Sequence, residues 1–421
     1  MNILIVGNGG REHAIAVALA KSNKSKAIYL LGPNGANEDK IHTLEASQDF
    51  NQIEDYIKSL DIDLTIIGPE NPLNEGIVDF LQERGHSVFG PNKKSARLEG
   101  SKSFAKSFME KYDIPTASYQ TFDNFEAALE ASGLYGYPEV IKADGLCAGK
   151  GVFICQNKDE SEAALKSIFL DQIFKDQGSF VIIERYFTGF EASLLCLVSG
   201  NKIIPFDTAM DYKKAYNDDK GPNTGGVGCL SPNPYWQAEH QKASDEILRK
   251  IEKGFEKEDL GYSGILFIGY MTHDDELYIL EFNTRFGDPE TQVLLPRLES
   301  DLIDLIEKSL AKEDIELTWS NQVAMTTILY SRGYPASYEK GYEIKDLSDS
   351  LDDSYIYHNG TKRDGEKILT NGGRVLSVLA LGNDFNEARD KVYQRIDQIH
   401  FDNMAYRTDI GMLREDTDKK P

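Results

Sequence analysis

The stretch GILFIGYMTHDDELYILEFNTRFGDPETQ, residues 264–292, decides how this chain is expected to fold. Two apolar runs, residues 264–271 and 276–282, are separated by a short polar turn at residues 273–275. Apolar runs of strand length on either side of such a turn are typical of a β-hairpin. The sequence therefore predicts two paired antiparallel strands in this region.

The second strand of this hairpin carries three polar groups in a row. Because side chains alternate along a strand, Glu281, Asn283 and Arg285 are predicted to share one face. Leu280 and Phe282 are predicted to lie on the opposite, apolar face. A carboxylate and an amide oxygen suit Mg²⁺, which needs few protein ligands when phosphates and water complete its shell. A solvent-facing polar edge is the alternative, and the apolar opposite face speaks against it.

A glycine-rich loop upstream indicates a phosphate site. Lys142 ends an apolar run, and Gly145, Gly149 and Gly151 follow it. Backbone amides in such a loop can close over a polyphosphate while lysine supplies a point charge. The loop is not a Walker A motif, because Gly151 stands where that motif needs Ser or Thr. A plain glycine hairpin with incidental lysines is the alternative.

The N-terminal region alternates short apolar strands with helical patterns. The strands are predicted at residues 3–6, 27–31, 64–67 and 87–89. Alternation of this kind is typical of a parallel sheet covered by helices. We therefore predict an α/β unit at the start of the chain.

The first of these strands runs into a glycine-rich loop that opens a helix, and a helix N-terminus binds anions. Dinucleotide binding is one interpretation, but Glu12 stands where the third glycine of that fingerprint belongs. Gly9, Gly10 and Arg11 therefore suit a phosphate-bearing substrate better. Glu70 follows the third strand and would face the same crevice, since ligands bind at the carboxyl ends of parallel strands.

The composition limits the kinds of partner. The chain has 421 residues, 46 of them Lys or Arg and 69 Asp or Glu, which gives a formal net charge of −23. Such a surface repels phosphate backbones and anionic lipid, so neither nucleic acid nor a membrane is expected as a partner. The four cysteines form no metal or disulfide pattern, and no signal peptide or membrane span is indicated. A cytoplasmic monomer is expected.

Several phrases of the sequence resemble a known family. A lysine and glycine-rich loop before a hairpin that ends in Glu-x-Asn-x-Arg is similar to the ATP-grasp superfamily. More specific phrases resemble the phosphoribosylamine–glycine ligase family and are spread over nearly the whole chain. These phrases are residues 7–14, 68–70, 98–102, 142–151, 221–226, 281–292, 372–375 and 407–411.

The resemblance implies a multidomain fold that combines α/β and α+β units. It implies an N-terminal parallel α/β (pre-ATP-grasp) domain at residues 1–100 and an ATP-grasp domain at residues 101–325. A Gly-rich lid would occupy about residues 118–190 of the second domain. A small α+β domain would complete the chain at residues 326–421.

The resemblance also implies a reaction. ATP, with Mg²⁺ or Mn²⁺, would phosphorylate the carboxylate of glycine, and the amine of 5-phosphoribosylamine would attack the glycyl phosphate. The products would be glycinamide ribonucleotide, ADP and phosphate, a step of purine biosynthesis. The alternative is another ATP-grasp carboxylate–amine ligase or a purine-pathway carboxylase, which would not combine the loops at residues 7–14 and 221–226.

The resemblance assigns roles to individual residues. Implied ATP ligands are Lys102, Lys142, Gly145, Gly149, Lys150, Gly151, Glu184, Phe187 and Glu191. Implied metal ligands are Glu281 and Asn283. Implied catalytic residues are Arg285, Lys142, Asp211 and Lys213. Implied substrate ligands are Gly9, Gly10, Arg11, His13, Glu70, Asn223, Thr224 and Gly225, and for His13 a helix-capping role is the alternative.

The sequence departs from the family pattern at a few positions. Arg185 and Phe190 stand where acids are usual near the adenine hinge. Tyr212 and Lys214 stand where histidine and arginine are usual near the glycine site. The first hairpin strand contains no acidic residue that could bind a second metal ion, so the number of metal ions is not predicted.

Two other classes of protein remain as alternatives. A nicotinamide-dependent oxidoreductase would need the glycine that Glu12 replaces. A non-catalytic nucleotide-binding module would not need Lys142 together with the polar groups of the hairpin strand.

Overall fold

The computed structural model describes residues 1–36, 38–147, 150–347 and 354–413, with only the backbone described at residues 176–177. In the described part of the chain no helix is both long and apolar enough to cross a membrane. Helices and strands are mixed throughout, as the sequence predicts.

The N-terminal unit is a five-stranded parallel sheet covered by helices. Its strands are β1 (Asn2–Val6), β2 (Ala27–Leu31), β3 (Ile41–Leu44), β4 (Leu64–Ile67) and β5 (Val88–Phe89). Its helices are α1 (Gly10–Ala20), α2 (Phe50–Ser59), α3 (Glu70–Glu75), α4 (Ile77–Gln82) and α5 (Lys93–Gly100). The strand order is β3-β2-β1-β4-β5, which confirms the predicted parallel sheet. The prediction missed β3, an edge strand in which only Ile41 is buried.

A small antiparallel unit follows. It opens with helix α6 (Lys102–Lys111) and contains strands β6 (Tyr119–Phe122), β7 (Glu139–Ala143), β8 (Val152–Cys155) and β9 (Val181–Arg185). Helices α7 (Phe125–Ala131) and α8 (Lys158–Phe169) cover one side of the sheet, whose order is β6-β9-β7-β8. Ile141, Val181 and Leu165 are among the residues of its separate apolar core. This unit is the lid that the resemblance implies.

The remaining strands form one large antiparallel sheet and two small ribbons. They are β10 (Glu191–Gly200), β11 (Lys202–Asp211), β12 (Lys214–Tyr216), β13 (Lys220–Asn223), β14 (Gly228–Ser231), β15 (Tyr262–His273), β16 (Glu276–Asn283), β17 (Val323–Ser331), β18 (Ser354–His358), β19 (Thr361–Asp364), β20 (Lys367–Thr370), β21 (Arg374–Gly382) and β22 (Met404–Ala405). The accompanying helices are α9 (Ala238–Lys257), α10 (Glu290–Leu294), α11 (Leu302–Ala311) and α12 (Phe385–Ile396).

The large sheet joins the central part of the chain to its C-terminal part. Its order is β16-β15-β10-β11-β14-β17-β21-β18, with β22 paired to β17. The border predicted between residues 325 and 326 falls inside β17. The C-terminal strands therefore continue the central sheet instead of forming a detached one, and β12–β13 and β19–β20 are the separate ribbons.

The predicted hairpin is confirmed as β15 and β16. Phe267 pairs with Asn283 and Gly269 with Glu281, but Tyr270 pairs with Ile279. Leu280 is therefore an extra residue, a bulge that resets the alternation of side chains. The prediction that Leu280 shares an apolar face with Phe282 was wrong, because the bulge removes Leu280 from the core that holds Phe282.

One apolar core fixes the N-terminal sheet on the large sheet. Ile3 of β1 and Ile15 of α1 belong to the same buried cluster as Leu195 of β10 and Ile265 of β15. Ile303 of α11 completes this contact. The packing holds the carboxyl ends of β1 and β4 beside the end of the hairpin, which is where the site forms.

Helix α11 offers a test of local stability. The Asp301 side chain accepts hydrogen bonds from the backbone N–H of Ile303 at 2.8 Å and of Asp304 at 3.4 Å. We expect Asp301→Ala to lower the free energy of unfolding by about 1 kcal/mol, because two N–H groups of the first turn lose their acceptor. Urea denaturation measures the change. Asp301→Asn should stay near wild type, and an equal loss in both variants would contradict the capping role.

Candidate active site

The site lies where four chain segments meet. Loops after β1 and β4 approach the end of β16, and β7 of the lid approaches the same strand from the other side. Lys142 of β7 donates to the carbonyl oxygen of Leu280 at 3.3 Å, so the lid touches the hairpin directly. Arg11 donates to the carbonyl oxygen of Phe286 at 3.3 Å, which ties the first loop to the residues after the hairpin.

A buried carboxylate holds the predicted ATP ligand Lys142. Glu184 on β9 contacts Lys142 Nζ at 2.9 Å and Lys106 Nζ at 3.2 Å. Burial disfavours the charged carboxylate, but the two lysines outweigh it and hold the pKa of Glu184 below its ordinary value. Burial lowers the pKa of Lys106 to about 8. The Glu184 side chain is thus committed to the two lysines, and its backbone pairs with Tyr119 of β6 and Val140 of β7.

The second predicted phosphate ligand, Lys102, stands at the start of α6. Its Nζ donates to the carbonyl oxygen of Gly145 at 2.8 Å, at the entrance of the glycine-rich loop. The Asp144 carboxylate accepts from the N–H of Ser103 at 2.6 Å and from Ser101 Oγ at 3.1 Å. Burial lowers the pKa of Lys102. Lys102 of α6 therefore contacts the loop that follows Lys142 on β7.

The described part of the glycine-rich loop is a tight turn. The N–H of Lys150 donates to the carbonyl oxygen of Cys147 at 2.9 Å, and the N–H of Ala143 donates to that of Gly151 at 2.8 Å. A Cβ at Gly151 would lie 2.7 Å from the Cβ of Cys147, so only glycine fits there. Gly149, also a predicted ATP ligand, lies outside the described residues.

The hairpin end brings its three polar groups together. Asn283 Nδ2 donates to Glu281 Oε1 at 3.4 Å, and Arg285 Nη2 donates to Asn283 Oδ1 at 3.2 Å. Burial disfavours the charged form of Glu281. The cations of Lys213, Lys142 and Lys102 outweigh burial and keep the pKa of Glu281 below its ordinary value. An ionised carboxylate therefore faces an amide, and this donor set fits Mg²⁺ or Mn²⁺ completed by phosphate and water oxygens. Among the described residues no group of three or more His, Cys, Asp or Glu side chains forms a metal cage.

Arg285 also connects the hairpin to the N-terminal unit. Its Nη2 lies 3.0 Å from Glu99 Oε1, and its Nε lies 3.6 Å from Glu70 Oε2. Glu70 in turn lies 3.7 Å from Arg11 Nη2. Burial raises the pKa of Glu70, but Arg285 and Arg11 outweigh it and hold that pKa below its ordinary value. Predicted residues from three separate segments thus form one charged chain.

Glu12, which stands where a dinucleotide fingerprint has its third glycine, makes structural contacts within the first loop. Glu12 Oε2 accepts from the N–H of Gly9 at 2.8 Å, and Oε1 accepts from Arg11 Nε at 2.6 Å. A Cβ at Gly68 would lie 2.2 Å from Glu12 Oε1, so the glycine after β4 makes room for this carboxylate. Glu12 therefore shapes the loop through Gly9 and Arg11 and packs against the glycine after β4.

His13 lies apart from the other predicted phosphate ligands. Its ring is fully buried, Nδ1 accepts from the N–H of His358 at 2.9 Å, and Nε2 lies 3.0 Å from Glu38 Oε1. The neutral ring therefore carries its proton on Nε2 and donates to Glu38. This contact joins α1 to β18 of the C-terminal part.

Aromatic rings surround Phe187, which the resemblance places at the adenine hinge. The ring of Phe187 stacks on His273 with centroids 4.5 Å apart and meets Tyr278 at the same distance. Arg185, where an acid is usual, places its guanidinium 5.7 Å from the Phe187 ring. Phe190, the second departure, packs edge-on against His240. Both departures are thus accommodated by ring contacts.

Acidic side chains surround Lys213. Lys213 Nζ contacts Glu191 Oε2 at 2.5 Å. Burial raises the pKa of Asp211 well above its ordinary value, and the nearby Glu290 carboxylate adds to this effect. Asp211 Oδ1 is buried and has no hydrogen-bond partner among the described residues. Glu290 accepts from Ser193 Oγ at 2.9 Å.

The loop after β13 sits next to Lys213. The N–H and Oγ1 of Thr224 both donate to the carbonyl oxygen of Lys213 at 2.8 Å. The N–H of Gly225 donates to the Tyr334 hydroxyl at 3.0 Å. Arg374 Nη1 donates to the carbonyl oxygen of Gly225 at 2.5 Å, so the C-terminal part holds this loop. Asn223 is the last residue of β13 and is exposed.

Sequence reasoning assigned no role to several residues of the site. These residues are Glu12, Glu99, Lys106, Asp288, Glu290 and Arg374. Arg374 Nη2 contacts Asp288 Oδ2 at 3.1 Å, and Asp288 Oδ1 accepts from Gln292 Nε2 at 2.7 Å. All of them except Lys106 lie in phrases that carry the family resemblance, which was the available signal.

The fold and the site define a class of protein. A parallel α/β unit, a small antiparallel lid with a lysine at its strand end, and a hairpin that ends in Glu-x-Asn-x-Arg are the parts of an ATP-grasp enzyme. Three family models cover most of the chain: phosphoribosylglycinamide synthetase N domain at residues 1–99, ATP-grasp (A) domain at 100–291 and C domain at 324–413. The chain belongs to the phosphoribosylglycinamide synthetase family.

Individual relatives agree with this membership. A phosphoribosylamine–glycine ligase from Halalkalibacterium halodurans is 44% identical over 98% of this chain and 96% of its own length. The ligase of that name from Pseudomonas aeruginosa is 40% identical over 98% of this chain and 97% of its own length. The crystal structure of phosphoribosylamine–glycine ligase from Thermotoga maritima superposes with a TM-score of 0.87 at 34% identity, covering 97% of this chain and 100% of that one.

A more distant structure is similar in fold alone. The biotin carboxylase domain of the 2-oxoglutarate carboxylase from Hydrogenobacter thermophilus has a TM-score of 0.74 at 16% identity. It covers 96% of this chain and 91% of its own length. The fold of this chain is therefore also found outside the family.

Proposed function

We propose that this enzyme joins glycine to 5-phosphoribosylamine with ATP, through glycyl phosphate, and releases glycinamide ribonucleotide, ADP and phosphate. Family membership supports the overall reaction. The observation that carries the phosphorylation step is the hairpin end, where ionised Glu281 lies beside Asn283 and Arg285. Lys142 approaches from the lid, so cations surround the place where a phosphoryl group would transfer.

The first step makes the carboxylate reactive. A glycine carboxylate oxygen attacks the γ-phosphorus of ATP, the bond to the bridging oxygen breaks, and ADP leaves. Charge on the transferring phosphoryl is best stabilised by fixed cations. Arg285, Lys142 and Lys102 are the residues we assign to this task, with Lys150 and Gly151 in the lid over the phosphates.

The second step forms the amide. The amine nitrogen of 5-phosphoribosylamine attacks the carbonyl carbon of glycyl phosphate, and the C–O bond breaks so that inorganic phosphate leaves. The nitrogen loses a proton, for which we assign Asp211 as acceptor, since burial and Glu290 raise the pKa of its carboxyl. Lys213, Thr224 and Gly225 would hold the glycine portion.

Mg²⁺ or Mn²⁺, when bound by Glu281 and Asn283, would neutralise charge on the ATP phosphates. Gly9, Gly10 and Arg11 would bind the ribose phosphate at the N-terminus of α1, with Glu70 turned toward the sugar. Phe187 and Glu184 would line the adenine site, and Glu191 would bind the ribose of ATP.

The assembly and location of the enzyme are also proposals. We propose a monomer that acts in the cytoplasm, as expected for an enzyme of purine biosynthesis. Analytical ultracentrifugation at working concentration tests the first point. A dimer that dissociates with loss of activity would contradict it.

An omission assay tests the proposed function. Purified enzyme receives Mg-ATP, glycine and freshly generated 5-phosphoribosylamine, and each component is left out in turn while ADP and glycinamide ribonucleotide are measured. We expect both products only when all three substrates are present. ATP consumption with another carboxylate or amine, and none with glycine, would retain the ATP-grasp class and contradict the named reaction.

A further inference from the structure

Residues 407–411, which we call the C-terminal clamp, hold the small hairpin formed by β12 and β13. The clamp is one of the family-like phrases, and neither the reaction nor the ligand assignments above use it. The two ends of the hairpin lead directly to Lys213 and Thr224, which the proposed function assigns to glycine.

Arg407 is the centre of the clamp and is almost fully buried. Its Nη1 donates to the carbonyl oxygen of Lys214 at 3.0 Å and contacts Asp219 Oδ1 at 2.9 Å. Its Nη2 and Nε contact the two carboxylate oxygens of Asp409 at 2.7 and 2.8 Å. With its side chain only 1% exposed, Arg407 has no path to a substrate and can act only through the hairpin.

Neighbouring clamp residues hold the turn of the same hairpin. Asn217 Nδ2 donates to Thr408 Oγ1 at 2.6 Å, and the N–H of Thr408 donates to Asn217 Oδ1 at 3.0 Å. The N–H of Asp218 donates to Asp409 Oδ2 at 2.9 Å. The turn is therefore held by its backbone and its side chains together.

The clamp also reaches the residue before Lys213. The N–H of Gly411 donates to the Tyr212 hydroxyl at 3.3 Å, and the Arg407 guanidinium lies 5.1 Å from the Tyr212 ring. Tyr212 is the residue that stands where the family usually has histidine. Its hydroxyl contact with the clamp gives this departure a structural role.

The hairpin has little apolar packing of its own. All four residues of β13 are exposed, and of β12 only Ala215 is fully buried. A two-stranded hairpin without such packing is marginal in water. Polar contacts therefore hold its geometry, and with it the position of Lys213 and Thr224. The clamp supplies most of those made by the turn and by Lys214, and the Tyr330 hydroxyl adds one to the carbonyl oxygen of Ala215 at 2.7 Å.

We propose that the C-terminal clamp positions Lys213 and Thr224 for glycine, with Arg407 as the positioning residue. This inference rests on the proposed function, because that function assigns the two residues to glycine. The C-terminal part of the chain thereby takes part in substrate selection through a fixed hairpin and not through direct contact.

Two variants of the full-length enzyme test the clamp. Asp219→Ala removes an acid whose side chain is 52% exposed and which contacts Arg407. Because Asp219 has a left-handed φ of 51°, Asp219→Gly is measured beside it to separate loss of this contact from backbone strain. Arg407→Lys keeps the charge and removes the guanidinium fork. We expect the KM for glycine to rise ~10-fold in Asp219→Ala and further in Arg407→Lys, while the KM for ATP stays within ~2-fold, because small misplacements of binding groups are costly. Hydrogen exchange of residues 212–226 should be faster in both variants.

The matched control is Asp314→Ala, which removes an exposed acid paired with Lys202 away from the hairpin. It should leave both KM values and the exchange unchanged. An unchanged KM for glycine in both clamp variants would overturn the inference, as would equal losses for glycine and ATP, which indicate general destabilisation. If the wild-type enzyme makes no product from glycine, both the proposed function and this inference are wrong. If the wild type uses glycine and both clamp variants keep its KM, only this inference is wrong.

Discussion

Glu281→Gln is expected to lower kcat by about 10²- to 10³-fold, as for loss of one electrostatic stabiliser in a closed site. The substitution keeps the shape of the side chain and removes its charge. Lys213, Lys142 and Lys102 hold the pKa of this carboxyl down against burial, so its charge is present in the wild type at neutral pH. The variant would leave those cations without their carboxylate and the metal without its charged ligand.

Steady-state rates at increasing Mg²⁺ concentration measure this effect. The concentration needed for half-maximal activity should rise in the variant, which loss of folding alone would not produce. Glu246→Gln on the exposed side of α9 is the matched control and should behave as wild type. Unchanged turnover and metal dependence in Glu281→Gln would contradict the metal assignment.

Arg285→Met is expected to lower kcat by about 10³-fold, because a guanidinium that neutralises a transferring phosphoryl contributes on that scale. The KM for ATP should change far less, since Lys102 and Lys142, the proposed phosphate ligands, are both retained. Arg285→Lys should recover only part of the rate, because an ammonium cannot reproduce the contacts with Glu99 and Asn283. Single-turnover measurements of ADP formation separate the phosphoryl step from product release.

The same substitution has a structural side effect that needs its own control. Glu99 is buried, and burial already raises its pKa with Arg285 present. Without Arg285 the pKa of Glu99 should rise further, because a cation that lowers it is lost, and thermal melting should report a modest loss of stability. Arg249→Met on α9 controls for loss of an exposed arginine. A wild-type kcat in Arg285→Met would contradict its role at the phosphoryl group.

Much of the fold could be predicted because apolar runs of strand length are visible in the sequence. Four of the five parallel strands and both hairpin strands were placed in this way. Strand β3 was missed because an edge strand buries little, and its alternation carries polar His42 and Thr43. The bulge at Leu280 was missed because it is set by pairing with β15, which the sequence of β16 alone does not encode.

The candidate site was predictable where its residues sit in local motifs. Glu281, Asn283 and Arg285 are close in sequence, and the structure brings them together. Lys106 could not be found this way, because a lysine in a helical pattern is normally a solvent-exposed one. Only tertiary packing buries it against Glu184, which lies far along the chain. Arg407 is a similar case, since its partners are in the distant β12–β13 hairpin.

His13 was predicted as a substrate ligand, but its ring is buried between other parts of the chain. Its place in the first loop phrase associates it with the phosphate ligands, yet α1 turns it inward toward Glu38 and His358. Residues three positions apart share one face of a helix, so Gly10 and His13 are expected on the same side of α1. The partner of that face is the C-terminal part of the chain, which the local pattern does not reveal.

The central claim is that the glycine carboxylate is phosphorylated before the amide forms. Glycine labelled with ¹⁸O in both carboxylate oxygens tests it most directly, with mass spectrometry of the inorganic phosphate released in the complete reaction. Phosphoryl transfer to the carboxylate predicts one labelled oxygen in each phosphate, because the oxygen that attacks phosphorus leaves with it. Unlabelled phosphate, formed while glycinamide ribonucleotide accumulates, would contradict the account.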